Sequence, residues 1–145
     1  MRRRQAIVVL ALAGLLVATY LWLYKIGVIG VLQCGTGSCE LVQASRYAVV
    51  WGVPVAFVGV LGYAALFVVG LVALQPAFAA DRRVTRLLSA LATGGFAFTL
   101  YLTAIELFVV HAVCRWCLAS ALVSTAIWAL AIWTPRPNHR SAADL

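Results

Sequence analysis

The chain holds four cysteines, and they stand as two close pairs. Cys34 and Cys39 enclose Gly35-Thr36-Gly37-Ser38, and Cys114 and Cys117 enclose Arg115-Trp116. Paired thiols at such spacings can exchange with disulfides, supply half of a zinc site, or staple a loop. The Cys114–Cys117 pair opens a long apolar run, so it stands at the start of a helix. There the positive end of the macrodipole stabilises a thiolate, and Arg115 adds a positive charge beside it. Two intervening residues place both sulfurs on one helical turn, close enough to bond. Two glycines make the Cys34–Cys39 segment a mobile loop, whose sulfurs can pair with each other or reach elsewhere.

Lipid must be the solvent for most of what positions these thiols. Hydrophobic residues make up 65% of the 145-residue chain and charged residues only 10%, too apolar for a soluble domain to cover its own surface. Four apolar runs are long enough to cross a bilayer: 6–24, 48–74, 87–110 and 114–133. The start, Met1-Arg2-Arg3-Arg4, looks like the charged region of a signal peptide. The apolar run after it is longer than a signal core, which reads as an uncleaved first span. Pro54 falls near the start of the second run, where a first helical turn tolerates it. Gln75 to Arg86 is a polar loop, His111-Ala112-Val113 a tight turn, and Thr134-Pro135-Arg136-Pro137 a stop. These features predict an all-α membrane protein of one domain over 1–145, a four-transmembrane-helix bundle. After Cys39, Leu41, Val42 and Ser45 share one face of a short stretch, which predicts a half-helix lying on the outer membrane surface.

Charge sets the orientation. The net charge of +7 invites a nucleic-acid reading, but the basic residues sit at the ends of apolar runs, where topology explains them. With four spans and the N-terminus in the cytoplasm, eight basic residues lie inside: Arg2, Arg3, Arg4, Arg82, Arg83, Arg86, Arg136 and Arg140. Three lie outside: Lys25, Arg46 and Arg115. Both termini are therefore expected in the cytoplasm and both cysteine pairs on the outer side of a bacterial inner membrane, where disulfides persist.

Other residues have chemistry at hand. Glu106 breaks the third span about a turn from its outer end. A carboxylate at that depth is costly and marks a functional candidate; pairing with Arg115 or capping the next turn are the alternatives. Ser45 is placed to hydrogen-bond a carbonyl near the outer opening, or is a surface serine. His111, in the outer turn, is a proton shuttle or an interfacial residue. Trp22, Tyr24, Trp51, Trp116, Trp128 and Trp133 mostly mark span ends, as aromatic anchors do.

At these residues the chain resembles the bacterial vitamin K epoxide reductase homologues. The matching elements are Cys34 and Cys39, Ser45-Arg46-Tyr47, Gly52-Val53-Pro54-Val55-Ala56, Glu106, and Cys114-Arg115-Trp116-Cys117. The resemblance covers about residues 6–133. It implies a four-helix bundle around a quinone, menaquinone or ubiquinone, as electron acceptor. It also implies electrons arriving from an external thioredoxin-like protein and so promoting disulfide formation in exported proteins. Cys39 would exchange with that partner, Cys34 would relay to Cys114, and Cys117 would face the quinone. Ser45, Glu106 and Trp116 would belong to the quinone site. The sequence departs from the vertebrate enzymes, which carry an asparagine in the second span and a tyrosine one turn after the Cys-x-x-Cys pair. Val55 and Ala121 stand at those places, which weighs against epoxide reduction and leaves quinone reduction. The thioredoxin-like domain fused to many bacterial members is not found in this sequence.

Two other readings compete. Four cysteines can form a tetrahedral thiolate site in a metal-binding membrane protein, although the glycine loop is ill suited to holding a metal still. A structural subunit with disulfides stapling its outer loops is the other. Redox exchange between the pairs, with no metal, is the expectation.

Overall fold

A computed structural model describes residues 2–28, 44, 46, 49–112 and 114–133. Cys34, Cys39, Ser45 and the expected half-helix lie outside the described residues, apart from Ala44 and Arg46. The rest forms four long helices and one small hairpin. Helix α1 is Arg2–Lys25, α2 is Val55–Leu74, α3 is Arg82–Ile105 continued by a π-helical turn Glu106–Val110, and α4 is Arg115–Ile132. All four are long and apolar enough to cross a membrane; the shortest has 18 residues and rises about 27 Å. The expected helical bundle is what the chain forms.

Several boundaries differ from those read in the sequence, each for a local reason. The second span starts at Val55, not at 48. Val49–Val50 and Val53–Pro54 pair instead as strands β1 and β2. Trp51 and Gly52, with φ of 51° and 79°, make the two-residue turn that suits a hairpin's twist. Pro54 is then the cap before α2 rather than a residue of its first turn. The third span starts at Arg82, not Leu87, because the Asp81 carboxylate accepts the Arg83 N–H at 2.8 Å and caps the helix. The polar loop shrinks to 75–81. Helix α1 reaches back to Arg2 and stops where Gly27, at φ 87°, permits the left-handed turn. There Val28 N–H bonds to Leu23 O and Gly27 N–H to Tyr24 O, the paired closure of a glycine-terminated helix.

The helices pack as a ring, α1 against α2 and α4, and α3 against α2 and α4. The start of α1 lies beside the ends of α2 and α4. Arg4 donates to the Ala73 carbonyl at 2.7 Å, and Arg3 donates to the Trp133 carbonyl. These carbonyls have no intrahelical partner, and the guanidinium charges suit the negative helix ends.

Inside hydrocarbon, apolar side chains gain little by meeting each other rather than lipid, so close packing holds helices together. Small residues serve α1 and α2. Ala11, Gly14 and Ala18 of α1 are buried against the α2 face carrying Tyr63 and Leu66. A Cβ on Gly14 would overlap the Tyr63 ring, and one on Gly70 would sit 2.9 Å from Val8 Cγ2. A second, smaller cluster at the opposite end from the arginines joins Leu21, Ala56, Ala112 and Cys114. Large apolar residues such as Leu16, Leu61, Val68 and Leu122 point outward, as lipid contact requires. We expect Gly14→Ala to displace the Tyr63 ring and cost roughly 1–3 kcal/mol of stability. Thermal unfolding in detergent would show the lowered midpoint; an unchanged midpoint would mean the α1–α2 contact yields freely.

Candidate functional site

Cys114 is the N-cap of α4. Its extended backbone turns the chain into the helix, and its sulfur accepts the Cys117 N–H at 3.4 Å. The first helical turn thus fixes one sulfur above the other. Both are free thiols. Cys114 is fully buried within the cluster containing Leu21 and Ala56. Cys117, one turn on, faces the interior of the bundle. The thiol and backbone N–H of Cys117 both donate to Cys114, and the thiol bond is the larger influence. Against the opposing effect of burial, they hold the Cys114 thiol below its ordinary range.

The interior that Cys117 faces is a cavity of about 500 Å³, within the range of small-molecule sites. It follows α3 from Leu87 to Val110, with α2, α4 and part of α1 as its other walls. Glycines open it: Gly59 and Gly62 on α2 and Gly94 and Gly95 on α3 line it, and at Gly62 and Gly94 a Cβ would meet nothing. The lining is mostly apolar, with a few polar groups. Cys117, Ser120 and Ser124 descend one face of α4, and Thr99, Thr103 and Glu106 rise along α3. From α2 comes Tyr63, whose hydroxyl donates to the Ser120 carbonyl at 2.8 Å and lies 2.8 Å from the Ser120 hydroxyl.

Glu106 stands where α3 widens into its π turn. Such turns insert one extra residue into the helical register and recur at functional sites. The Glu106 carbonyl accepts from His111 N–H and, at 3.2 Å, from Ala112 N–H, which closes the helix with His111 in the left-handed conformation at φ 55°. The Glu106 carboxylate meets the Cys117 thiol and the Cys114 N–H. Its partners are therefore the cysteine turn and not Arg115, which is exposed.

The family model described as Vitamin K epoxide reductase family matches residues 5–132, nearly the whole chain. The chain belongs to that family. No curated protein matches it. Family membership makes this chain a membrane thiol–disulfide oxidoreductase with a quinone as electron partner. The cavity fits a quinone's chemistry, a flat apolar ring with polar oxygens at two edges. Most of the wall is apolar, and its few hydroxyls, the carboxylate and the thiol come from α2, α3 and α4.

Cys114, Cys117 and Glu106 come together as a group. Trp116 packs on Tyr20 of α1, with ring centroids 5.1 Å apart, and is not part of the cavity wall. Cys34, Cys39 and Ser45 lie outside the described residues, and the four-cysteine metal reading lies there with them. Among the described residues no cluster of three or more His, Cys, Asp or Glu could hold a metal. Val55 and Ala121, where the vertebrate enzymes carry hydrogen-bonding side chains, both line the cavity with apolar ones.

The sequence reading missed Tyr63, Ser120 and Ser124. The spacing Cys117, Ser120, Ser124 is i, i+3 and i+7, one helix face, and was the available signal. Tyr63 lay in an uncharged run with nothing local to mark it. We expect Cys114 to react with a small methanethiosulfonate with a half-maximal rate at a lower pH than an ordinary cysteine. Cys117→Ala removes the thiol donor and should move that midpoint upward. Mass spectrometry across a pH series reads both, and an unmoved midpoint would deny the hydrogen bond its role.

Proposed function

We propose that this protein carries electrons inward from an extracytoplasmic thioredoxin-like protein to a quinone in the bundle cavity. Cys39 exchanges with the partner, Cys34 relays to Cys114, and Cys114 with Cys117 reduces menaquinone or ubiquinone. The outcome is net disulfide formation in exported proteins. The observation supporting this most is the division of the Cys114–Cys117 turn. Cys117 faces an apolar cavity inside the membrane, and Cys114 is seated in the packing at the opposite end from the arginines. A lipid-soluble oxidant and a water-borne reductant can thus approach different sulfurs of one pair.

Thiol–disulfide exchange moves the electrons by attack of thiolate on sulfur. Cys34 attacks Cys114 of the Cys114–Cys117 disulfide, and Cys117 leaves. Cys39 then attacks Cys34, forming Cys34–Cys39 and releasing Cys114. The Cys114–Cys117 dithiol closes again as the quinone takes two electrons and two protons. Ser45, Glu106 and Trp116 are the proposed neighbours of the quinone head group, and of these Glu106 is on the cavity wall. Positive residues gathered at the starts of α1 and α3 support a cytoplasmic face there, with both termini inside and the cysteines outside.

Quinone-dependent oxidation of a dithiol by purified protein tests the reading. Cys117→Ala should abolish it; turnover near the wild-type rate would move the active pair elsewhere. Cys39→Ser should trap a Cys34–Cys114 disulfide, visible by non-reducing proteolytic mapping. A Cys39–Cys114 bond trapped by Cys34→Ser, with nothing trapped by Cys39→Ser, would reverse the order. An impermeant thiol reagent should label reduced Cys34 and Cys39 from outside intact cells, and labelling only from the cytoplasmic face would overturn the topology.

A further inference from the structure

The geometry points to Glu106 as the proton carrier between Cys117 and the quinone, a catalytic role that rests on the quinone-reductase reading above. The Cys117 thiol has one proton and two acceptors in reach, the Cys114 sulfur and the Glu106 carboxylate. Only one of these acceptors also lines the cavity: Glu106 does, and Cys114 does not. A proton given to Cys114 lies in the packed cluster at the start of α4, away from the cavity wall. A proton given to Glu106 lies on the wall of the space a quinone would occupy. The carboxylate is held for this task. The Cys114 N–H donates to it, and two backbone N–H groups fix its own carbonyl at the π turn. Carboxylates inside membranes are costly and recur in proton relays.

In the oxidation of the dithiol, Glu106 accepts the Cys117 proton. Cys114 gives its proton to solvent by way of the start of α4, where His111 and Arg115 are exposed, as its sulfur bonds to that of Cys117. The two electrons released pass to the quinone. One quinone oxygen receives that proton from Glu106, and the other takes one from solvent. Two thiols and a quinone become a disulfide and a hydroquinone, and Glu106 ends as it began. The other titratable groups around this point are Cys114 and Cys117 at the start of α4 and Tyr63 across the cavity on α2. Helix α1 contributes only Ala18 and Leu21 to the wall.

The test uses the full chain in lipid nanodiscs, with dithiothreitol as reductant and a short-tailed naphthoquinone as acceptor. Glu106→Gln keeps the size and removes the base. It should lower turnover by about 10²-fold or more, as loss of a general base does, with the unfolding midpoint unchanged. At saturating dithiothreitol its remaining rate should climb with pH more steeply than that of wild type, as hydroxide substitutes for the carboxylate, whereas damage to the fold would leave the two pH profiles parallel. Formate should restore at least part of the loss in Glu106→Ala. Turnover of Glu106→Gln within about threefold of wild type would overturn the assignment. If the glutamine variant does not fold, Glu106→Asp decides: it keeps the charge but withdraws it by one methylene, and an undiminished rate would count against the role. The underlying reading is separable. Wild type that reduces no quinone sinks that reading, whereas active wild type with an equally active Glu106→Gln sinks only the proton carrier.

Discussion

A helix end inside or beside hydrocarbon must find partners for its free carbonyl and N–H groups within the protein, because lipid offers none. Much of this molecule follows from how that need is met. Arg3 and Arg4 satisfy the ends of α4 and α2, which fixes three helices to one another at one face. Asp81 starts α3. At the other face, the α4 N-terminus is capped by a sulfur rather than by the usual oxygen. The group that begins the helix is therefore one of the two thiols proposed to react. The closure of α3, with two N–H groups on the Glu106 carbonyl, brings the carboxylate to that same turn.

Packing and reaction make opposed demands on the bundle, and they are met on different helix pairs. Between α1 and α2, Gly14 and Gly70 remove bulk so that Tyr63 and Val8 can come close. Between α2 and α3, Gly59, Gly62, Gly94 and Gly95 remove bulk and leave space. The difference lies in what stands opposite. Tyr63 fills the gap at Gly14, whereas at Gly62 and Gly94 nothing fills it. Tyr63 belongs to both regions, its ring packed on Gly14 and its hydroxyl tied to Ser120 on the cavity wall.

The four spans were legible because a bilayer imposes a length and an absence of charge, and both can be read from the order of the residues alone. Cys114 as the start of α4 was legible for a related reason: helix starts are local. Boundaries that depend on pairing were not. The stretch from Val49 to Pro54 is as apolar as the helix it precedes, and only the Trp51-Gly52 turn separates it. Asp81 and three nearby arginines were read together as loop, which disguised the first turn of α3 and the cap that starts it. Glu106 stood out as a charge within a span, while its partner did not. Arg115 or a cap on the next turn were the alternatives read from sequence, and the first turn of α4 is what meets the carboxylate, through the Cys117 thiol and the Cys114 N–H. Tyr63 and Ser120 are 57 residues apart in sequence, so no local pattern could bring them together.

The position of the cavity changes how the enzyme's substrate should be counted. Its walls lie along the membrane-spanning part of α3, and the quinone proposed to enter it partitions into the bilayer rather than into water. Encounter is then a two-dimensional event. The quantity that saturates the site is quinone per lipid molecule, not moles per litre of buffer. Diluting a proteoliposome suspension tenfold should leave that half-reaction's rate per enzyme unaltered, whereas adding empty lipid that mixes with it should slow turnover. A thiol half-reaction fed by a water-soluble dithiol would respond in the opposite way to each.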